Sequence, residues 1–189
     1  DLRIKPIIME YKMKKLILGS AIMAVLGVAS NAMAAPNTGT VNFIGSVSTA
    51  TCEINVTDSA GAQVSNVNLG TLANTGTTGQ QVAFKLVPTD QTCLGKTQAN
   101  ITWSSPTLMA TGLSNAATGG TNATMALVAT NATKTGAAAA IKTGATSLDY
   151  NITGGIPSFN YSAWLAKPAT GALTAGPFSA SASYVITYK

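Results

Sequence analysis

Hydrophobic and polar residues alternate most regularly over the last fourteen residues of the chain, 176–189. Ser179, Ser181, Ser183, Val185 and Thr187 share one face, and the opposite face carries Phe178, Ala180, Ala182, Tyr184, Ile186 and Tyr188. This period of two predicts a half-buried β-strand. A strand exposes unpaired backbone groups wherever it lacks a neighbour. Because this strand is the last in the sequence, we expect its second neighbour to come from another molecule.

The same alternation recurs in short segments separated by clusters of Gly, Asn, Thr and Pro. It predicts strands over 40–47, 53–57, 65–70, 81–87, 99–104, 125–129 and 158–167. Segment 111–124 is rich in Gly, Asn and Thr and is predicted to be an exposed loop. Segment 134–146 contains four consecutive alanines between glycines, which indicates a loop with one helical turn. Many short strands without a linker are typical of a single all-β sandwich domain.

The N-terminal residues predict export. Met13, Lys14 and Lys15 precede an apolar run over 16–29, and Ala32-Met33-Ala34 forms an A-x-A cleavage site. Residues 13–34 are therefore predicted to be a secretory signal peptide. The apolar run is too short for a transmembrane helix. Residues 1–12 are interpreted as translation upstream of the true start and are excluded, with the signal peptide, from fold reasoning.

The charge balance is different once residues 1–34 are excluded. Residues 35–189 contain six lysines, no arginine and four acidic residues. Because arginines and a clustered basic stripe are missing from residues 35–189, a nucleic-acid partner is not expected. Such low charge disfavours solubility of a free monomer and suits a subunit packed in an assembly.

The residue types also restrict the possible chemistry. The sequence contains no histidine, so a Ser-His-acid or Cys-His nucleophilic site cannot be built from it. The acidic residues of segment 35–189 are scattered and are interpreted as solvated turn residues rather than as a glycosidase pair; they are Glu53, Asp58, Asp90 and Asp149. We therefore predict a protein that is not an enzyme and has neither cofactor nor metal.

Two cysteines follow the leader, Cys52 and Cys93. In an oxidising compartment such a pair is predicted to form one structural disulfide. Two thiols without a histidine make a poor metal site. Trp103 and Trp164 lie within alternating strand patterns, so a core or interface position is favoured over a sugar-stacking platform.

Taken in order along the chain, these features resemble the chaperone–usher fimbrial subunits, the pilins of Gram-negative bacteria. Gly39–Val47 followed by Cys52 resembles the family's donor segment and first cysteine, and Cys93 matches the second cysteine. Leu69-Gly70 matches a frequent step in the second strand. The C-terminus is the most specific match, with Gly176 fourteenth from the end and Tyr188 penultimate. The sequence is most similar to major subunits of enterotoxigenic-type fimbriae.

The resemblance implies an incomplete immunoglobulin-like sandwich that lacks its last strand and is completed by a donor strand from a neighbouring subunit. Residues 35–50 would be the N-terminal donor-strand segment and residues 51–189 the pilin domain. The donor strand would insert Val41, Phe43, Gly45 and Val47. The acceptor groove, which is also the chaperone-binding surface, would be formed by Gly176, Phe178, Ala180, Ala182, Tyr184, Ile186 and Tyr188.

The resemblance also implies partners and a location. A periplasmic chaperone and an outer-membrane usher would assemble identical or related pilin subunits into a homopolymer. The protein would be exported through the periplasm to the cell surface as a fimbria that mediates adhesion to host cells and contributes to virulence. In the alternative hypothesis, the shaft subunit is itself a lectin whose loops around 111–124 and 134–142 bind host glycans. A single-domain length argues against a dedicated two-domain tip adhesin.

Overall fold

The computed structural model describes residues 37–47, 53–90, 93 and 95–189. The predicted signal peptide, residues 1–12 and Cys52 lie outside these residues. In the described part the strands, in chain order, are β1 Asn37–Val47, β2 Ile54–Asp58, β3 Asn66–Leu72, β4 Val82–Pro88, β5 Gln98–Ser104, β6 Leu108–Met109, β7 Gly112–Ser114, β8 Thr124–Ala129, β9 Ser147–Asn151, β10 Phe159–Ala166 and β11 Phe178–Tyr188. A single-turn 3-10 helix, Gly136–Ala139, lies between β8 and β9.

The strands form two sheets that pack as a sandwich. The first sheet has the order β3-β1-β11-β5-β9, and the second has the order β2-β4-β10-β8-β7-β6. Neighbouring strands are antiparallel except for β1 and β11, which are parallel. The alternation seen in the sequence places every second side chain in the core, as in β5, where Ala99, Ile101 and Trp103 are buried. The all-β prediction is therefore confirmed.

An aromatic cluster joins the two sheets at the centre of the core. Trp103 on β5 is 2% exposed, and its indole N–H donates a hydrogen bond of 3.1 Å to the hydroxyl of Tyr161 on β10. The Tyr161 ring stacks on Phe84 of β4 at 5.5 Å, and Trp103 contacts Tyr184 of β11 at 5.4 Å. A buried indole needs such a partner for its N–H. Trp103 is thus a core residue, as predicted, whereas Trp164 on β10 is half-buried.

Most of the strands predicted from alternation are found within one or two residues of the predicted bounds. The prediction was wrong for part of segment 111–124, where Gly112–Ser114 forms β7. Gly112 makes this strand possible because a Cβ there would lie 2.2 Å from the Met125 carbonyl oxygen of β8. The predicted helical turn in 134–146 is confirmed as the 3-10 turn. No helix among the described residues is long and apolar enough to cross a membrane.

Candidate functional site: the groove occupied by β1

Strand β1 lies between β3 and β11 and completes the first sheet. It runs parallel to β11 from Gly39 opposite Phe178 to Val47 opposite Ile186. On its other side it pairs antiparallel with β3. The second neighbour of β11 therefore comes from the same chain, whereas the sequence led us to expect another molecule. The predicted donor segment occupies the groove beside the predicted acceptor strand.

Side-chain sizes are complementary across the β1–β11 pair. Val41 is fully buried opposite Ala180, and Phe43 is 7% exposed opposite Ala182. The small side chains on β11 thus face the large side chains on β1. Where β1 carries a glycine, the large side chain is on β11 instead, since Gly39 lies opposite Phe178. Gly45 lies opposite Tyr184 in the same register.

Phe43 connects β1 to both sheets. Its ring stacks on Phe84 of the second sheet with the centroids 4.4 Å apart and an interplanar angle of 24°. It also meets the edge of Trp103 at 5.6 Å. Such aromatic pairs contribute about 0.5–1.5 kcal/mol each beyond the area that they bury. Phe43 is therefore the principal anchor among the described side chains of β1.

Glycines on β1 and β3 allow the two strands to pair near Gly39. A Cβ at Gly39 would lie 3.2 Å from the side chain of Leu165 and 3.3 Å from that of Phe178, so any larger residue would crowd the core. The register of β1 against β3 shifts between Gly39 and Thr40, which leaves Leu69 as the extra residue of a β-bulge. Gly70 adopts φ +68° at this bulge. The Leu-Gly step noted in the sequence thus lies where β3 bends around β1.

The bulge also changes which residues of β3 face the core. Val67 and Leu69 are buried two residues apart, but the next buried residue is Leu72 rather than Thr71. One extra residue inverts the alternation of a strand. The side chains of Val67, Leu69 and Leu72 are therefore all buried in the core.

The inward row of β11 forms the other wall of the groove. Its buried side chains are 0–6% exposed and comprise Phe178, Ala180, Ala182, Tyr184 and Ile186. Tyr188 is half-buried. Before the strand, Gly176 adopts φ +139°, and a Cβ there would lie 2.9 Å from the Thr121 amide nitrogen. Gly176 thus permits a close backbone approach just before β11.

The C-terminal end of β11 is tied back to the first sheet. The Lys189 carbonyl oxygen accepts hydrogen bonds from the amides of Thr97 and Gln98, at 3.0 and 3.1 Å. The Lys189 amide donates to the Gln98 carbonyl at 2.8 Å. These bonds extend the ladder between β11 and β5 to the last residue.

Several tyrosines that line this core are kept neutral by burial. Desolvation raises the pKa of Tyr161 to about 12, although the hydrogen bond donated by Trp103 opposes that rise. Burial also raises the pKa of Tyr188 to about 12 and moves the pKa values of Tyr184 and Tyr150 above the usual range. Ionisation of these phenols is therefore disfavoured even above pH 10. The groove is a neutral, apolar surface suited to packing rather than to proton transfer.

The described acidic residues take part in local hydrogen bonds. Among the described residues, no group of three or more His, Cys, Asp or Glu side chains is placed to bind a metal. Asp58 accepts hydrogen bonds from the amides of Ala60 and Ala62 at 2.9 Å and so stabilises a turn. Asp149 accepts one from the Asn100 side chain at 2.8 Å. Cys93 is buried, but its predicted disulfide partner Cys52 is outside the described residues, so the pairing stays a prediction.

Sequence reasoning missed one polar residue that contacts the start of β11, Asn115. Its side-chain amide makes four hydrogen bonds, two of them to the segment that begins β11. The loop that contains it is therefore fixed to β11 rather than free, although it was predicted only to be exposed. Asparagine is common in this chain, and no local pattern distinguishes Asn115 from the others.

The protein is thus an all-β sandwich of the immunoglobulin-like class, in which an N-terminal strand lies beside the C-terminal strand. The family model described as "Fimbrial protein" matches residues 41–189, from β1 to the last residue. The chain is also 40% identical over 185 residues to the K99 fimbrial protein of Escherichia coli, across 93% of this chain and 99% of that protein. The chain belongs to the fimbrial protein family. This family membership makes it a structural protein of a surface fimbrium.

Proposed function

We propose that this protein is a subunit that polymerises by donor-strand exchange into a fimbria mediating adhesion to host cells. In this reaction, β1 of one subunit occupies the groove between β3 and β11 of the next. The observation that carries the proposal is the pairing of an N-terminal strand with both walls of a groove at the C-terminal strand. A segment at one end of a subunit is thus complementary to a site formed by the other end.

The proposal follows from what an empty groove would expose. Without β1, two strand edges would present unpaired backbone groups, and such edges pair readily with other chains. The aromatic faces of Phe84 and Trp103, now covered by Phe43, would also be exposed. Large exposed apolar patches favour association. A subunit in transit therefore needs a substitute strand in the groove.

We propose that a periplasmic chaperone supplies this strand and that an outer-membrane usher mediates its replacement by β1 of the next subunit. Both steps are β-augmentation, in which main-chain hydrogen bonds give affinity and alternating side chains fill pockets. The pockets beside Ala180 and Ala182 are the described places where a donor side chain enters deeply, because Val41 and Phe43 are buried there.

The test compares two carboxylates on adjacent residues of β1. Phe43→Asp places a charge in a dry pocket, where it is strongly disfavoured without a partner. Asn42→Asp places the same charge on the exposed face of the same strand. The full chain would be exported together with its chaperone and usher, and fibres would be counted by electron microscopy.

We expect the Phe43→Asp subunit to be recovered with its chaperone, which provides its own strand, but to form few or no fibres. The Asn42→Asp subunit should form fibres at close to the wild-type level. Normal fibre yield from Phe43→Asp would contradict the proposed function.

A further inference from the structure

On the side away from β1, the two halves of β11 have different hydrogen-bonding neighbours. Residues 183–188 pair with β5, from Ser183 opposite Ser104 to Tyr188 opposite Ala99. Because β5 ends at Ser104, residues 178–182 extend beyond its ladder. This half lies opposite Gly39–Phe43 of β1 and so contains the pockets that take Val41 and Phe43.

A loop takes the place of β5 beside this half of β11. The Asn115 side chain accepts a hydrogen bond from the Ser179 amide at 2.9 Å and donates one to the Pro177 carbonyl at 2.8 Å. The Ala116 amide donates to the Ser179 carbonyl at 2.8 Å. The Ser105 hydroxyl donates to the Ser181 carbonyl at 2.7 Å. We call Ser105, Asn115 and Ala116 the brace, since they satisfy backbone groups of β11 that a longer β5 would otherwise satisfy.

Asn115 is itself held in one orientation. Its carbonyl oxygen also accepts from the Ala117 amide at 2.8 Å, and its amide nitrogen also donates to the Thr121 carbonyl at 2.9 Å. The side chain thus uses two acceptor and two donor positions at once. Aspartate supplies no donors and serine a single one, so neither reproduces this set.

We propose that Asn115 is a positioning residue for strand exchange: it holds the first half of β11 extended, so that the pockets for Val41 and Phe43 keep their shape while the donor strand is exchanged. This inference rests on the proposed function. When the groove is empty, residues 183–188 keep β5 as a neighbour. Residues 178–182 then keep only the hydrogen bonds of the brace on the side away from β1. Loss of these bonds should therefore disturb the shape of the pockets most.

The test compares Asn115→Ala with Asn122→Ala. Asn122 also links this loop to the segment before β11, through hydrogen bonds of 2.8 Å to the Ala172 carbonyl and 2.9 Å from the Thr174 amide. These bonds do not involve residues of β11. Asn122→Ala therefore controls for a general weakening of the loop. Ser105→Ala, which removes one bond of the brace, is the second test variant and retains Asn115.

The exported chain would be purified with its chaperone, so that its own β1 is kept out of the groove, and a fluorescent peptide of residues 37–47 would be added to replace the chaperone strand. Release of the bound peptide would then be followed after an excess of unlabelled peptide is added, with the chain's own β1 competing equally in every variant. We expect release at least tenfold faster from Asn115→Ala, about threefold faster from Ser105→Ala, and within twofold of wild type from Asn122→Ala. Hydrogen exchange should show protection lost at the amides of Ala180 and Ala182 but kept at those of Val185 and Ile186. If Asn115 had only a general structural role, its replacement would lower the protection evenly along β11.

Wild-type release from Asn115→Ala, or from Ser105→Ala should Asn115→Ala not fold, would overturn the inference while leaving donor-strand exchange intact. An even loss of protection along β11 would also overturn it. If the wild-type chain neither takes up the peptide nor forms fibres, the proposed function fails and the inference falls with it.

Discussion

Truncation of Phe43 to alanine tests whether β1 is part of the folded core. The side chain is 7% exposed, stacks on Phe84 and meets the edge of Trp103. Replacing a buried phenylalanine by alanine costs about 3–5 kcal/mol in lost burial and cavity formation. Against a typical domain stability of about 5–15 kcal/mol, this loss is large. We expect the free energy of unfolding to fall by about 3–5 kcal/mol.

The measurement is urea unfolding of the exported, monomeric chain, followed by tryptophan fluorescence. Trp103 reports on this region because it contacts Phe43 directly and is 2% exposed. In a thermal scan, the same loss corresponds to a fall in Tm of about 6–20 °C for a domain of this size. Phe43→Leu should cost less, since it keeps most of the apolar volume but loses both ring contacts.

Asn42→Ala is the control, because Asn42 is exposed on the same strand. Its effect should stay within about 0.5 kcal/mol. If Phe43→Ala lowered the stability by less than about 1 kcal/mol, the ring would not lie in the core of the monomer. In that case, β1 would not occupy its own groove in solution.

Two further predictions concern the groove and its tyrosines. Ala182→Phe should destabilise the monomer by about 1–3 kcal/mol and lower fibre yield, because Ala182 is 2% exposed opposite Phe43; Ser183→Thr on the opposite face is its control, and equal Tm values for the two variants would refute the register. High pH should destabilise the chain, because burial raises the pKa of Tyr161 from 10.0 to about 12. The stability contributed by the neutral phenol is complete below pH 10 and should fall by about 2 kcal/mol as the pH rises to 12. Urea unfolding at pH 9 and pH 12 measures this fall, and Tyr161→Phe should reduce the difference between the two.

The fold was predictable where burial and local pattern agree. In β11 every second residue from Phe178 to Ile186 is buried, so the period of two alone indicates the strand. Strand β9 was missed because its two buried residues, Leu148 and Tyr150, alternate with exposed polar residues over a span too short to stand out. Strand β7 was missed because its formation depends on Gly112 approaching β8, a contact between segments that alternation does not encode.

The residues that line the facing strands β1 and β11 could be named from the sequence, but the way in which these strands pair could not. Alternation and the family resemblance indicated Val41 and Phe43 on one strand and Ala180 and Ala182 on the other. Their register is a long-range parallel pairing that local sequence does not determine. Asn115 was missed for the same reason, because two of its four bonds join it to residues 62 and 64 positions further along the chain.

The position of β1 in its own groove also bears on how polymers could form. A donor strand from a second subunit would have to displace a strand that is tethered to the same domain. Linkage within one chain gives such a strand an effective concentration on the order of millimolar, so at lower subunit concentrations the groove would be occupied by its own β1. Growth of a fibre would then require that β1 be kept out of this groove until a neighbour arrives. A partner that lends its own strand provides this condition, and the edges and aromatic faces exposed in an empty groove explain why such a partner would bind there first.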